Sequence, residues 1–242
     1  MRATGSDPTT LKRLAGETAA EEVHDGDVVG LGTGSTVEWT LKALGRKVAE
    51  GMSLLGIPTS LRSESLAKEL GIPLTSLEEH PVLDVTIDGA DEVDRAFDLV
   101  KGGGGALTRE KIVAAASKRE VIVVDPSKLV ERLADRFPLP VEVVPMAVPT
   151  VRRTIADMGA EVVVRKADDG TDMRTDNGFA ILDCRFPGGI GDKRYVEQEI
   201  NNIPGVLENG LFLDMTDRIV VGTEDGPVRL DTGQWLGDRP VH

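Results

Sequence analysis

The fold is decided by the stretch Val82-Leu83-Asp84-Val85-Thr86-Ile87-Asp88-Gly89-Ala90-Asp91-Glu92. The apolar run 82–87 predicts a buried strand, and two carboxylates three residues apart, Asp88 and Asp91, follow directly. Strands of this kind belong to parallel sheets that are covered on both faces. In such sheets ligands bind beyond the carboxyl ends of the strands. The stretch therefore predicts an α/β fold with acidic side chains at its ligand-binding edge.

A second block follows after a short linker and runs from Lys101 through four glycines to Glu110 and Lys111. Consecutive glycines let the backbone approach a ligand closely and adopt positive φ. The segment after them is predicted to be helical, and the N–H groups of its first turn suit an anion. Taken singly, these features have plainer interpretations: an Asp-Gly turn, a solvated acidic loop, a flexible glycine linker and surface charges. Taken together, they favour an enzyme site.

A third feature lies upstream, where the short apolar run 28–32 leads through Thr33-Gly34-Ser35-Thr36 into a predicted helix. A strand, a turn rich in glycine and hydroxyls, and a helix form an arrangement that binds phosphate. It does not match a dinucleotide fingerprint, because Ser35 occupies the place of the third glycine. It is not a P-loop either, because no Gly-Lys-Ser/Thr follows. A small sugar phosphate fits better than a nucleotide.

These blocks, in this order and spacing, resemble the type A family of ribose-5-phosphate isomerases. The resemblance extends over nearly the whole chain, from about residue 12 to residue 226. Further matching segments lie toward the C-terminus: Phe137 to Pro145, Thr175-Asp176-Asn177-Gly178, Ile203-Pro204-Gly205-Val206, Gly210-Leu211-Phe212 and Gly222 to Gly226. The tail 227–242 runs beyond the expected end of the family, and the sequence suggests no role for it.

The resemblance implies interconversion of D-ribose 5-phosphate and D-ribulose 5-phosphate through an enediolate, a reaction of the non-oxidative pentose phosphate pathway. Moving a proton between C1 and C2 needs a positioned base and a group that stabilises the oxyanion. We assign Glu110 as the carbon base, Lys101 as the oxyanion stabiliser, and Asp88 and Asp91 to ring opening and hydroxyl binding. The expected substrate-binding residues are Thr33, Gly34, Ser35, Thr36, Gly89, Ala90, Gly102, Gly103 and Gly104, with Lys128 and Lys12 as candidate phosphate partners.

Strands and helices alternate along the first half of the chain, which predicts a doubly wound, mostly parallel sheet. From residue 137 the pattern changes to a β-α-β-β-α order, typical of a small α+β ferredoxin-like domain. We therefore expect a Rossmann-like catalytic domain, 1–136 plus 208–242, with the smaller domain, 137–207, inserted before the C-terminal strand 218–222. The other predicted elements are helices 11–23, 65–70, 106–118, 150–158 and 195–203, strands 28–32, 53–57, 72–74, 121–125, 141–144 and 161–165, and a hairpin around Asn177-Gly178.

Composition narrows the function further. One cysteine, Cys184, and three scattered histidines give no zinc-ligand spacing, and Lys101 beside the acids argues against Mg²⁺. We expect no metal and no organic cofactor. The polar N-terminus and the lack of a long apolar run predict a cytoplasmic protein without a membrane segment. The sequence has no basic patch of the kind that binds nucleic acid, so we expect no nucleic-acid partner. The expected partner is a small sugar phosphate, and we expect a homodimer or a homotetramer.

The net charge is −13, with 41 acids against 28 bases and more arginines than lysines. This charge repels phosphate at long range, so the site needs its own positive field. The balance is typical of adaptation to high salt, where screening shortens repulsion between charges. The alternative is an ordinary acidic cytoplasmic protein.

Two other functions remain open from the sequence. A CoA transferase-like enzyme of similar fold uses a glutamate to attack a thioester, but it needs a nucleotide-length groove and usually a longer chain. A non-catalytic sugar-phosphate-sensing domain needs a DNA-binding segment, and few residues precede the first strand. Neither explains both the acidic block and the lysine-glycine block.

Overall fold

The computed structural model describes residues 7–236. Its helices are α1 (Pro8–Ala19), α2 (Val37–Ala49), α3 (Leu61–Glu69), α4 (Leu107–Ala115), α5 (Val148–Asp157) and α6 (Lys193–Asn201). Its strands are β1 (Val28–Leu31), β2 (Leu55–Pro58), β3 (Val85–Gly89), β4 (Glu92–Val93), β5 (Leu99–Val100), β6 (Glu120–Val124), β7 (Leu139–Val143), β8 (Glu161–Val164), β9 (Ala180–Arg185), β10 (Val206–Asn209), β11 (Leu211–Phe212), β12 (Arg218–Thr223) and β13 (Gly226–Asp231).

A six-stranded sheet in the order β13-β12-β6-β3-β1-β2 forms the centre of the molecule. All neighbouring strands in it run parallel except β12 and β13, which form an antiparallel pair. The predicted return of the strand near 218–222 to this sheet is confirmed, since β12 pairs with β6. Part of the C-terminal tail also has a structural role, because β13 forms one edge of the sheet.

Helices cover both faces of this sheet, as its apolar strands require. On one face, α1 and α2 pack against alternate residues of the strands, including Val85, Ile87, Val121 and Val123. On the other face, α4 packs through Val113 and Ala114 onto the remaining residues. The chain therefore has the α/β architecture expected from its sequence.

A small antiparallel sheet, in the order β11-β5-β4, lies beside the carboxyl end of β3. Its strands are two residues each, too short to be seen as a periodic pattern. The acidic block before it is not a solvated loop, because Glu92 is buried and accepts hydrogen bonds from the backbone N–H groups of Ala134, Arg136 and Phe137. This sheet places Lys101, which follows β5 directly.

A four-stranded antiparallel sheet in the order β10-β7-β9-β8 occupies the region after residue 138. Helices α5 and α6 pack on it through Val151, Ile155 and Ile200. The elements follow one another as β-α-β-β-α-β. The predicted boundary at residue 207 falls inside β10, which pairs with β7.

Three local predictions were wrong. Helix α1 begins at Pro8, is N-capped by Asp7 and ends at Ala19, whereas we expected a helix over residues 11–23. The predicted strand 72–74 is reduced to a single bridge between Leu74 and Gly56. The predicted hairpin around Asn177-Gly178 is not tight: β8 and β9 do form an antiparallel pair, but a long loop joins them and only β9 begins next to this turn.

Within residues 7–236, no helix combines the length and the apolar character needed to cross a membrane.

Candidate active site

Asp88 lies at the carboxyl end of β3, in the middle of the six-stranded sheet, and is fully buried. Its Oδ1 accepts hydrogen bonds from the backbone N–H groups of Thr33 (2.9 Å) and Gly89 (2.7 Å). Its Oδ2 is 3.1 Å from Lys101 Nζ. Asp88 thus ties the Thr33 turn and the lysine to the end of the central strand.

Lys101 follows β5, and its backbone N–H donates to the carbonyl of Gly210 on the neighbouring chain segment. Only 2% of its side chain is exposed. The ammonium donates to the Gly89 carbonyl and is 3.7 Å from Glu110 Oε1. Burial lowers the pKa of Lys101, but attraction to Asp88, Glu110 and Glu120 outweighs it, so the pKa is raised and the side chain stays charged.

Glu110 lies in the first turn of α4, with 5% of its surface exposed. Burial raises the pKa of Glu110 to about 8. Attraction to Lys101 lowers the pKa, and repulsion from Asp88 and Asp91 raises it further. A carboxylate with a pKa near neutrality is suited to removing and returning a proton. The sequence left open which influence on Glu110 dominates, and in the structure it is burial.

The turn after β1 brings hydroxyl groups together at the same edge of the sheet. The Thr33 hydroxyl oxygen is 2.8 Å from those of Thr59 and Ser60, which follow β2. Lys12, from α1, donates to Ser35 Oγ at 2.9 Å. The arrangement offers hydroxyls, backbone N–H groups and an ammonium to an anion, as a phosphate-binding turn requires.

The glycine run bends around Asp91. Gly102 has φ of +105°, a conformation that residues with a side chain rarely adopt. The N–H of Gly103 donates to Asp91 Oδ2 at 2.7 Å, and a Cβ on Gly103 would lie 2.5 Å from Asp91 Oδ1. Arg165, which directly follows β8, supports the glycine run. Its guanidinium donates hydrogen bonds to the carbonyls of Gly102 (2.8 Å) and Gly103 (3.0 Å).

These elements enclose a cavity of about 230 Å³. The residues expected from the sequence line it with one exception: Lys12, Thr33, Gly34, Ser35, Thr36, Gly89, Ala90, Asp91, Lys101, Gly102, Gly103, Gly104, Glu110 and Lys128. The exception is Asp88, which lies behind the wall and reaches the cavity only through Lys101 and Thr33. A direct contact of Asp88 with a sugar is therefore not supported by this geometry.

Several lining residues escaped the sequence analysis. Ser60 and Arg62 follow β2, whose carboxyl end meets the same edge of the sheet, so Thr59-Ser60 was a usable signal. Asp176 comes from the loop before β9, and its Oδ2 accepts from the N–H of Leu61 at 2.8 Å. Because 115 residues separate these partners, no local pattern predicts their contact.

Among residues 7–236, no group of three or more His, Cys, Asp or Glu side chains is arranged to hold a metal ion. Of the carboxylates that line the cavity, Glu110 lies 3.7 Å from Lys101 Nζ. Independence from metals and organic cofactors stays a prediction.

Comparison with known proteins gives one consistent result. The family model described as ribose 5-phosphate isomerase A (phosphoriboisomerase A) matches residues 55–226. A ribose-5-phosphate isomerase A from Bacillus mycoides is 49% identical over 216 residues, covering 89% of this chain and 97% of the relative. The structure of ribose 5-phosphate isomerase A from Methanocaldococcus jannaschii superposes with a TM-score of 0.89 at 42% identity, over 93% of this chain and all of the other.

A second solved structure, a D-ribose-5-phosphate isomerase in complex with phospho-erythronic acid, has a TM-score of 0.90 and 39% identity, covering 93% of this chain and 99% of the other. The family model spans the Asp88 and Lys101 blocks, and the relatives extend the match over most of the chain. With the acids, the lysine, the glycine run and the hydroxyl turn gathered at one sheet edge, the chain belongs to the ribose 5-phosphate isomerase A family.

Proposed function

We propose that this protein interconverts D-ribose 5-phosphate and D-ribulose 5-phosphate by proton transfer through an enediolate. The observation that carries the proposal is the buried pair of Glu110 and Lys101, 3.7 Å apart at the wall of the cavity. A base beside a fixed positive charge is what proton abstraction next to a carbonyl needs. The solved relative bound to phospho-erythronic acid, a phosphorylated sugar acid, supports the same class of ligand.

In the proposed reaction, Glu110 removes the proton from the carbon next to the carbonyl and returns it to the neighbouring carbon. Lys101 faces the oxygen on which negative charge develops, and Asp88 holds the ammonium in place at 3.1 Å. Asp91, which lines the cavity, is left to assist ring opening and to bind a sugar hydroxyl. The Thr33–Thr36 turn, with Lys12 and Lys128 beside it, binds the phosphate.

The finer architecture belongs to the same proposal. We infer a Rossmann-like catalytic domain, 1–136 plus 208–242, and an inserted ferredoxin-like domain, 137–207. The β-α-β-β-α-β order after residue 138 supports the inserted domain, although pairing of β10 with β7 moves its end to about residue 209. The homodimeric or homotetrameric state and the cytoplasmic location stay predictions.

The test is a coupled assay of ribose 5-phosphate isomerisation in EDTA, with Glu110→Gln as the decisive variant. Gln keeps the shape of the side chain but cannot accept the carbon-bound proton, so we expect turnover to fall about 10²–10⁴-fold. Calorimetry with the substrate should show that affinity changes far less. A variant that keeps most of its kcat, or wild-type activity that EDTA abolishes and Mg²⁺ or Zn²⁺ restores, would contradict the proposal.

A further inference from the structure

A third buried carboxyl, Glu120, lies beneath the site at the start of β6. Glu120 is paired in register with Thr86 of β3, and Asp88 is paired with Ile122. Val121 and Val123, which lie one and three residues after Glu120 in β6, pack on the face of the sheet that α1 and α2 cover. Because side chains alternate along a strand, Glu120 points to the opposite face, which it shares with Asp88 and which α4 covers with Glu110.

Glu120 is only 2% exposed, and neither of its carboxyl oxygens has a hydrogen-bond partner among residues 7–236. Glu110 Oε2 also lacks a hydrogen-bond partner among residues 7–236, whereas Asp88 Oδ2 is paired with Lys101 Nζ at 3.1 Å. An ionised carboxylate without donors is strongly disfavoured in a protein interior. On this geometry, Glu120 is a neutral acid.

Four ionisable groups, each on a different element, face Glu120. They are Asp88 on β3, Lys101 after β5, Glu110 on α4 and Asp217 before β12. Burial raises the pKa of Glu120 well above its usual value. Repulsion from Asp88, Glu110 and Asp217 adds to this, and attraction to Lys101 opposes it. Lys101 makes ion pairs with Asp88 and Glu110 and none with Glu120 among the described residues.

On the basis of the isomerase function proposed above, we propose that Glu120 is a positioning residue. While Glu120 is a neutral acid, the Lys101 ammonium stays paired with Asp88 and Glu110. Ionisation of Glu120 abolishes the activity of the site. With Glu120 neutral, the ionised cluster of Asp88, Glu110 and Lys101 carries one net negative charge. Ionisation of Glu120 adds a second negative charge. This charge opposes the negative charge that develops on the enediolate, and it attracts Lys101 away from the enediolate. Since Glu110 lines the cavity and has Lys101 beside it, it ionises before Glu120.

The first test is the pH dependence of kcat. We expect the wild type to lose activity on the alkaline side, falling about tenfold per pH unit once Glu120 ionises. Glu120→Gln should keep the acidic side of the profile and lose this alkaline fall, and Glu120→Met should behave alike. The raised pKa of Lys101 places loss of its own proton at still higher pH. The inference is overturned if both variants lose activity at alkaline pH in the same way as the wild type. It is also overturned if the wild type shows no alkaline loss of activity.

The second test needs no activity and follows the unfolding constant in denaturant at several pH values. Above the ordinary glutamate pKa, Glu120 loses its proton in the unfolded chain but keeps it in the folded one, so rising pH favours unfolding. The ratio of the wild-type constant to that of Glu120→Gln should therefore grow about tenfold per pH unit from about pH 5 until folded Glu120 ionises. A ratio that does not change with pH would overturn the inference.

The two tests separate this inference from the proposed function. A wild type without ribose 5-phosphate isomerase activity at any pH refutes the function and the role of Glu120 in it. The unfolding series then still decides whether Glu120 is a neutral acid. If Glu120→Gln does not fold, Glu120→Met takes its place, because it also lacks the ionisable group and fills a similar volume.

Discussion

The ionisation of Glu110 sets the pH range in which the proposed base can work. Only the carboxylate can accept the proton, and burial raises the pKa of Glu110 to about 8. Below that pH most molecules hold Glu110 in its protonated form, which cannot act as the base. We expect kcat/KM, measured from pH 6.5 upward, to rise about tenfold per unit and to level off near pH 8, before the alkaline fall expected from Glu120 begins.

This range lies above the second ionisation of a phosphate ester, near pH 6, so titration of the substrate does not mimic the effect. The residual activity of Glu110→Gln is the control, because it should lack this ascending limb. A kcat/KM that is level between pH 6.5 and 8 in the wild type would show that Glu110 is not the group that titrates.

Lys101 and Lys128 both line the cavity, but their surroundings differ. Lys101 is buried against Asp88 and Glu110, where the proposed reaction would develop negative charge, whereas Lys128 lies on the turn after β6. Lys101→Ala should therefore lower kcat about 10²–10³-fold. Lys128→Ala should mainly raise KM, by about tenfold or more, because a phosphate contact is made in ground state and transition state alike.

Steady-state kinetics of both variants decide this prediction, and circular dichroism confirms that each is folded. The same loss of kcat and the same change in KM in both variants would mean that the two lysines do not have the separate roles assigned to them.

At the scale of an element, the glycine run gives two adjacent positions with opposite requirements. A Cβ at Gly103 would lie 2.5 Å from Asp91 Oδ1, but at Gly104 the nearest atom is Thr33 Cγ2 at 3.7 Å. Neither glycine has a positive φ. Gly103→Ala should destabilise the protein by about 1–3 kcal/mol through overpacking. Gly104→Ala should be neutral or stabilise it by up to about 1 kcal/mol, because it restricts the unfolded chain.

Urea unfolding of the two variants and the wild type, at one pH and one salt concentration, measures both effects. Equal stability of Gly103→Ala and Gly104→Ala would contradict the close approach of the loop to Asp91.

The elements that sequence predicted well are those whose pattern is long enough to read. The apolar runs of β1, β3 and β6 and the helices between them required no tertiary information. Strands β4, β5 and β11 have two residues each and exist only because they pair with one another. They place Lys101, so its proximity to Asp88 could be expected from the resemblance but not from any local pattern.

The same limit applies to the site. Ser60 and Arg62 could have been found, since β2 ends at the same sheet edge as β1. Asp176 could not, because it reaches the cavity through a contact with Leu61 that no periodicity encodes. Burial of Asp88 behind the cavity wall also depends on packing. A sequence identifies which residues lie near a strand end, but only the three-dimensional arrangement separates those that face the cavity from those that support them.

At the scale of the whole molecule, the four-stranded sheet holds segments of the candidate site in place. Arg165 of the loop after β8 binds the glycine run, and Glu142 of β7 accepts hydrogen bonds from Thr108 of α4 and from Thr175. Lys193 bridges Asp94 and Asp98 at 2.5 Å each. Both the glycine loop and the helix that carries Glu110 are thus fixed from a distant part of the chain.

The net charge of −13 leads to the last prediction, that molar salt stabilises the protein. Carboxylates outnumber cations, 41 to 28, so repulsion among them opposes the folded state at low ionic strength. Dilute buffer of 0.1 M screens charges only beyond about 10 Å, whereas 1 M salt does so beyond about 3 Å. Each 1 kcal/mol gained corresponds to about 2–4 °C in Tm for a chain of this size, and we expect a rise of at least that between low and molar KCl.

Salt should also weaken the proposed binding of the substrate phosphate, so activity should reach a maximum while Tm still increases. A parallel series in sucrose, which stabilises by exclusion from the surface without screening charge, is the control. If KCl acts by screening, most of its effect should appear below about 1 M, where the Debye length falls fastest, whereas the sucrose effect should grow steadily. A Tm that stays level or falls with KCl would mean that the acidic surface is not an adaptation to high salt.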